Sequence, residues 1–134
     1  MRKIEHIGIA VKDLDVSNAL FEKLFGAPAY KAEEVASEGV TTSFFMNGPN
    51  KIELLAATNP DSPIAKFLEK KGEGIHHIAF DVEDIVSEIA RLQQEGFVVL
   101  NETPKKGADN KLVAFLHPKS TNGVLIELCQ EIRE

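Results

Sequence analysis

Cysteine is almost missing from this chain. Cys129 is the only one, so no internal disulfide can form and no cysteine-based zinc site exists. Basic runs are equally scarce, none being longer than Lys105-Lys106, and 15 basic residues against 21 acidic ones leave a net charge of −6. That balance excludes nucleic acid as the main partner, while leaving room for a small anionic ligand held by local lysines. No apolar run is long enough for a signal peptide or a membrane span. These absences lead to the expectation of a cytoplasmic, soluble protein. Its 134 residues, 43% hydrophobic and 27% charged, suffice for a single domain (1–134) with a real core.

What the chain does have is an internal repeat. His6-Ile7-Gly8-Ile9-Ala10-Val11-Lys12-Asp13-Leu14 aligns with His77-Ile78-Ala79-Phe80-Asp81-Val82-Glu83-Asp84-Ile85 at an offset of 71 residues. Lys51-Ile52-Glu53-Leu54-Leu55 aligns with Leu125-Ile126-Glu127-Leu128-Cys129 at an offset of 74, and a loop insertion absorbs the difference. The spacing predicts the same elements in each copy. In the first, a strand over Ile4–Val11 leads into a helix over Asp15–Phe25, where Leu20, Leu24 and Phe25 keep helical spacing and Gly26 follows the end. Strands over Ala29–Ala36, Thr41–Met46 and Lys51–Ala56 complete it. In the second, a strand over Ile75–Asp81 precedes a helix over Ile85–Glu95 with Ile85, Ile89 and Leu92 as its apolar stripe. Strands over Phe97–Asn101, Leu112–Leu116 and Val124–Cys129 follow.

The expected fold is therefore α+β, two tandem βαβββ modules (about 1–57 and 74–134) joined by a linker helix (about 58–73). Paired pseudo-symmetrically, they would form a curved mixed sheet with helices outside and a concave cleft inside. Pairing would also cover strand edges that a lone module leaves open.

Strand alternation selects the residues that face the cleft. Ile7, Ile9 and Val11, like Ile78, Phe80 and Val82, must pack under the helices. That turns His6 and His77, each followed by small residues, to the other face, with His76 pointing away from it. Ile52 and Leu54, or Ile126 and Leu128, likewise turn Glu53 and Glu127 inward. A carboxylate flanked by apolar residues needs a partner. Two imidazoles and two carboxylates at equivalent places make a four-ligand site for a divalent metal: His6, Glu53, His77 and Glu127. Asp81 reads as a cap or turn residue, His117 as a structural or ligand-edge group, and Cys129 as a small buried thiol.

These motifs resemble the vicinal oxygen chelate (glyoxalase) superfamily and, within it, the methylmalonyl-CoA epimerases. The resemblance covers nearly the whole chain. It rests on HIGIAVKDLD, on DSPIAKFLEKKGEGIHHIAF and on FLHPKSTNGVLIELCQ. It implies an isomerase that interconverts (2R)- and (2S)-methylmalonyl-CoA by proton abstraction through a metal-stabilised enolate. The ion it implies is Co2+, with Ni2+, Zn2+ or Mn2+ as alternatives. It further implies Glu127 and Glu38 as the catalytic acid/base pair, with Thr42 standing where some members carry a glutamate, a CoA thioester substrate, and a homodimer. The loop Lys106–Lys111 departs from the glycine-rich patch usual in the family. Lys105, Lys106, Lys111 and Lys119 stand near it, as phosphate contacts or as solvated surface. The alternatives are glyoxalase I (lactoylglutathione lyase), which can use the same ligand types, and a non-enzymatic small-molecule-binding member. The second would replace the ligand positions with apolar residues, which this chain does not.

Overall fold

The computed structural model describes residues 1–133. Eight strands and three helices make an α+β fold with both parallel and antiparallel strand pairs, as the repeat predicts. The chain divides into two compact units, His6–His76 and a second that joins Met1–Glu5 to the residues from His77 onward.

In the His6–His76 unit, β1 (Lys3–Ala10) runs into α1 (Leu14–Phe25). Asp13 stops the strand and starts the helix, its Oδ1 accepting from the Val16 N–H at 3.1 Å. Gly26 ends the helix at φ 75°, the left-handed conformation that lets its N–H reach the Glu22 carbonyl. Strands β2 (Lys31–Val35), β3 (Val40–Asn47) and β4 (Asn50–Ala57) follow, then α2 (Pro63–Lys71), capped by the Ser62 hydroxyl. The sheet order is β2-β3-β4-β1, and only the β4–β1 pair is parallel. α1 lays Leu14, Phe21 and Phe25 on Val11, Phe45 and Leu54. α2 lays Ile64, Phe67 and Leu68 on Ala10, Val40 and Leu55. Successive residues Leu54 and Leu55 point to opposite faces, so the two helices cover opposite sides of this sheet. The helical spacing of Leu20 and Leu24 is real, but both point outward, 61% and 67% exposed. Leu14, Phe21 and Phe25, each half-buried, form the packed stripe because the sheet already supplies Phe45 to meet the rings.

The second unit repeats the plan. β5 (Gly74–Asp81) leads to α3 (Ile85–Gln94), where Asp84 accepts from the Ser87 N–H at 3.1 Å. Asp13 and Asp84 are thus the same residue of the repeat, with φ −133° at both. Ile85, Ile89 and Leu92 pack on Val82, Leu116 and Leu128, as the apolar stripe predicts. β6 (Lys105–Lys106), β7 (Lys111–Leu116) and β8 (Ile126–Glu131) give the order β5-β8-β7-β6, with β5–β8 parallel.

The expected strand over Phe97–Asn101 is a correction. That stretch makes one bridge, Val99 to Leu116, with backbone bonds from Leu100 to Phe115 and from His117 to Val98. The rest of the β7 edge is taken by Lys105 and Lys106, opposite Val113 and Leu112. One six-residue edge shared by two segments leaves neither a full ladder.

Candidate metal centre

The parallel strand pairs place the predicted ligands. In the first unit Gly8 lies opposite Glu53, so His6, two residues before Gly8, shares that face and stands diagonal to Glu53. His6 Nε2 lies 3.3 Å from Glu53 Oε1, with both side chains buried. In the second unit Ala79 lies opposite Glu127, which puts His77 on the same diagonal. His77 Nε2 lies 2.9 Å from Glu127 Oε1, both again buried. Gly8 and Ala79, the small residues between imidazole and carboxylate in each ladder, leave the space the two side chains fill.

Each pair therefore offers one imidazole nitrogen and one carboxylate oxygen, side by side and shielded from bulk water. That donor set fits a divalent ion that accepts nitrogen and oxygen ligands. A buried carboxylate needs charge compensation, and a cation held between its oxygen and the imidazole supplies it.

The structure adds two residues the sequence reading missed. Phe44 stands directly opposite Glu53 across β3–β4, and Phe115 directly opposite Glu127 across β7–β8. Phe115 meets the His77 ring edge-on at 6.0 Å and 84° and so helps orient it. The repeat held the signal, since Phe44 and Phe115 are also 71 residues apart.

Other candidates find structural places. His76 leaves the His77 face and packs edge-on against Phe67 of α2 at 4.9 Å. Asp81 is neither cap nor turn residue: buried at the end of β5, it takes the Arg2 guanidinium Nε at 2.8 Å. His117 Nδ1 accepts from the Lys119 N–H at 3.0 Å, fixing the 3-10 turn Pro118–Ser120. Cys129 is buried with Ala79, Val113 and Phe115. Glu38 ends the 3-10 turn Ala36–Glu38 just before β3, where it is half-buried. Lys105, Lys106 and Lys111 line the β6–β7 hairpin, and Lys119 sits in the turn after β7.

Residues 5–115 match the glyoxalase/bleomycin resistance protein/dioxygenase superfamily. The ethylmalonyl-CoA/methylmalonyl-CoA epimerase of Cereibacter sphaeroides is 44% identical over 96% of this chain and 97% of its own length. The human mitochondrial methylmalonyl-CoA epimerase is 40% identical over 96% of this chain and 73% of its own. Among solved structures, a point variant of the Streptomyces coelicolor methylmalonyl-CoA epimerase in complex with 2-nitronate-propionyl-CoA superposes with a TM-score of 0.93 at 35% identity, covering 98% of this chain and 95% of that one. The duplicated His–Glu ladders and these likenesses agree: the chain belongs to the methylmalonyl-CoA epimerase family of the glyoxalase/bleomycin resistance protein/dioxygenase superfamily.

Proposed function

We propose that this protein is an isomerase that interconverts (2R)- and (2S)-methylmalonyl-CoA by removing and returning the proton on the carbon between the thioester and the carboxylate. The observation that carries the reading is the pair of buried His–Glu diagonals, His6 with Glu53 and His77 with Glu127, built identically in the two modules. Together the four side chains would hold one divalent ion, Co2+ being the first candidate. Such an ion, when bound, stabilises negative charge on the substrate's oxygens as the proton leaves.

The chain's own residues supply the rest. Glu53 and Glu127 give the site two negative charges, matched to a dication. Phe115 holds the His77 ring in place, and Phe44 puts an apolar wall beside Glu53. Inversion at carbon needs one group to take the proton from one side and another to return it from the opposite side. Glu127 fills one role through a carboxylate oxygen. Glu38, in its turn before β3, fills the other. The lysines of the β6–β7 hairpin suit the anionic CoA. The exposed apolar row Val16, Leu20 and Leu24 on α1 supports a homodimer. None of the described helices is long and apolar enough to cross a membrane, and with the single buried cysteine this accords with a cytoplasmic setting.

The deciding experiment follows the α-proton of methylmalonyl-CoA in D2O with the metal-loaded protein, beside an assay with methylglyoxal and glutathione. Exchange in the first is the expected result. Turnover in the second alone would make the protein a glyoxalase instead.

A further inference from the structure

Thr42 is fully buried, yet its Oγ1 has no hydrogen-bond partner among the described residues. A buried hydroxyl left unpaired is costly, so its place in the fold calls for a reason. The ladder shows where it points. Thr42 lies opposite Leu55 across β3–β4, one diagonal step from Glu53, on the face that carries the His6–Glu53 pair. Across β2–β3 it lies opposite Glu33.

The repeat supplies the comparison. Seventy-one residues on, in the same ladder position, stands Val113, opposite Cys129 as Thr42 is opposite Leu55. Val113 is 4% exposed and packed with Ala79, Cys129 and Phe115. Valine and threonine have the same shape and differ by a methyl against a hydroxyl. One module fills this position with the apolar isostere, so packing does not ask for the oxygen in the other.

We infer that the Thr42 hydroxyl is a substrate-binding group, donating its hydrogen bond to an acceptor oxygen of the acyl part of the thioester beside Glu53. The inference rests on the reading of the site given above. Val40, Phe44 and Leu55 on this face are apolar, and the carboxylates of Glu33 and Glu53 beside it take no hydrogen bond from its hydroxyl. A neutral donor in such surroundings suits a carbonyl or carboxylate oxygen, because hydrogen bonds to a charged acceptor are the stronger kind. Thr42 lies below the surface, so a neighbouring side chain must yield as the acyl group enters. The one opposite it on the edge strand β2 is Glu33, whose side chain is 32% exposed and pairs with Lys31 at 3.4 Å, the kind of surface ion pair that resists little.

The test is calorimetric binding of methylmalonyl-CoA to the metal-loaded protein, with melting of the metal-free protein as a second readout. T42V should bind about tenfold more weakly, T42S about as well as the parent chain. T42V should also melt higher, since it removes an unpaired polar atom. S43A is the control, because Ser43 is equally buried and unpaired but lies opposite Leu54, on the α1 side. It should leave binding unchanged. T42V binding within twofold of the parent would overturn the inference alone, as would S43A weakening binding to the same degree. Failure of the parent chain to bind methylmalonyl-CoA would instead overturn the functional reading beneath it.

Discussion

His77 Nε2 lies 2.9 Å from Glu127 Oε1 inside a sheet face from which bulk water is excluded. His6 and Glu53 reproduce the arrangement at 3.3 Å. Imidazole against carboxylate is stable in such a place, but the same two atoms are both metal donors. The pair is thus a resting partner for each side chain and a ready half of a coordination shell.

The two roles separate by substitution. His77→Ala and Glu127→Ala should each lose the bound divalent ion on desalting, read as metal per chain by elemental analysis. Without metal, His77→Ala also takes a donor from a buried carboxylate and should cost about 1–3 kcal/mol in urea unfolding. Retention of a full equivalent of metal by either variant would refute the ligand assignment.

Gly39 follows the turn that holds Glu38, at φ 64°. A Cβ there would come within 2.7 Å of Ser62 Cβ, the residue that caps α2, while the Gly39 carbonyl takes the Thr58 N–H. Gly48 has nearly the same backbone, φ 63°, with nothing within 4 Å of a Cβ. Gly48→Ala should therefore cost only the left-handed penalty of about 1–2 kcal/mol. Gly39→Ala should cost clearly more, because α2 must shift as well. Equal urea midpoints for the two variants would show that the Ser62 contact is soft.

Much of this was legible in the sequence because the repeat counts twice. A histidine with small residues after it, or a glutamate between isoleucine and leucine, is ambiguous once; the second copy fixes the period, the face and the partner. The matching aspartates near the ends of the aligned stretches, Asp13 and Asp84, are the helix N-caps in both modules. Periodicity failed where it could not see the partner. Leu20 and Leu24 have core spacing, but which face of α1 is buried depends on where β3 puts Phe45. The Phe97–Asn101 stretch has strand composition, but competition for the β7 edge decided its pairing. Thr42 stood out in the sequence only as a threonine where some relatives carry a glutamate; that its hydroxyl is buried and unpaired is defined by everything around it.

Asp84 is held below the ordinary carboxylate value of 3.8, first by the Ser87 backbone N–H and then by the Ser87 hydroxyl. A pKa depressed in the folded state adds stability above the unfolded value, and that stability is lost as pH falls through the folded one. Asp84→Asn keeps an oxygen that can cap but removes the charge. Below about pH 4 the parent chain should lose stability more steeply than the variant, measured by urea midpoints from pH 6 to 2.5. Parallel curves would mean that the cap is not ionically reinforced.

The outward row of α1 gives the last contrast. Val16, Leu20 and Leu24 are 66%, 61% and 67% exposed, at the i, i+4, i+8 spacing of one helix face. One turn away Phe21 packs between Phe25 and Phe45 at ring distances of 5.9 and 6.3 Å. Phe21→Ala should cost about 2–4 kcal/mol through the cavity it leaves. Leu20→Lys with Leu24→Lys should change the monomer's stability by less than about 0.5 kcal/mol, as surface substitutions do. If the row is covered by a second copy of the chain, the double lysine variant will elute as a monomer by light scattering while the parent elutes as a dimer. A parent chain that is monomeric at all concentrations removes the homodimer, and a double variant that unfolds removes the assignment of this face to solvent.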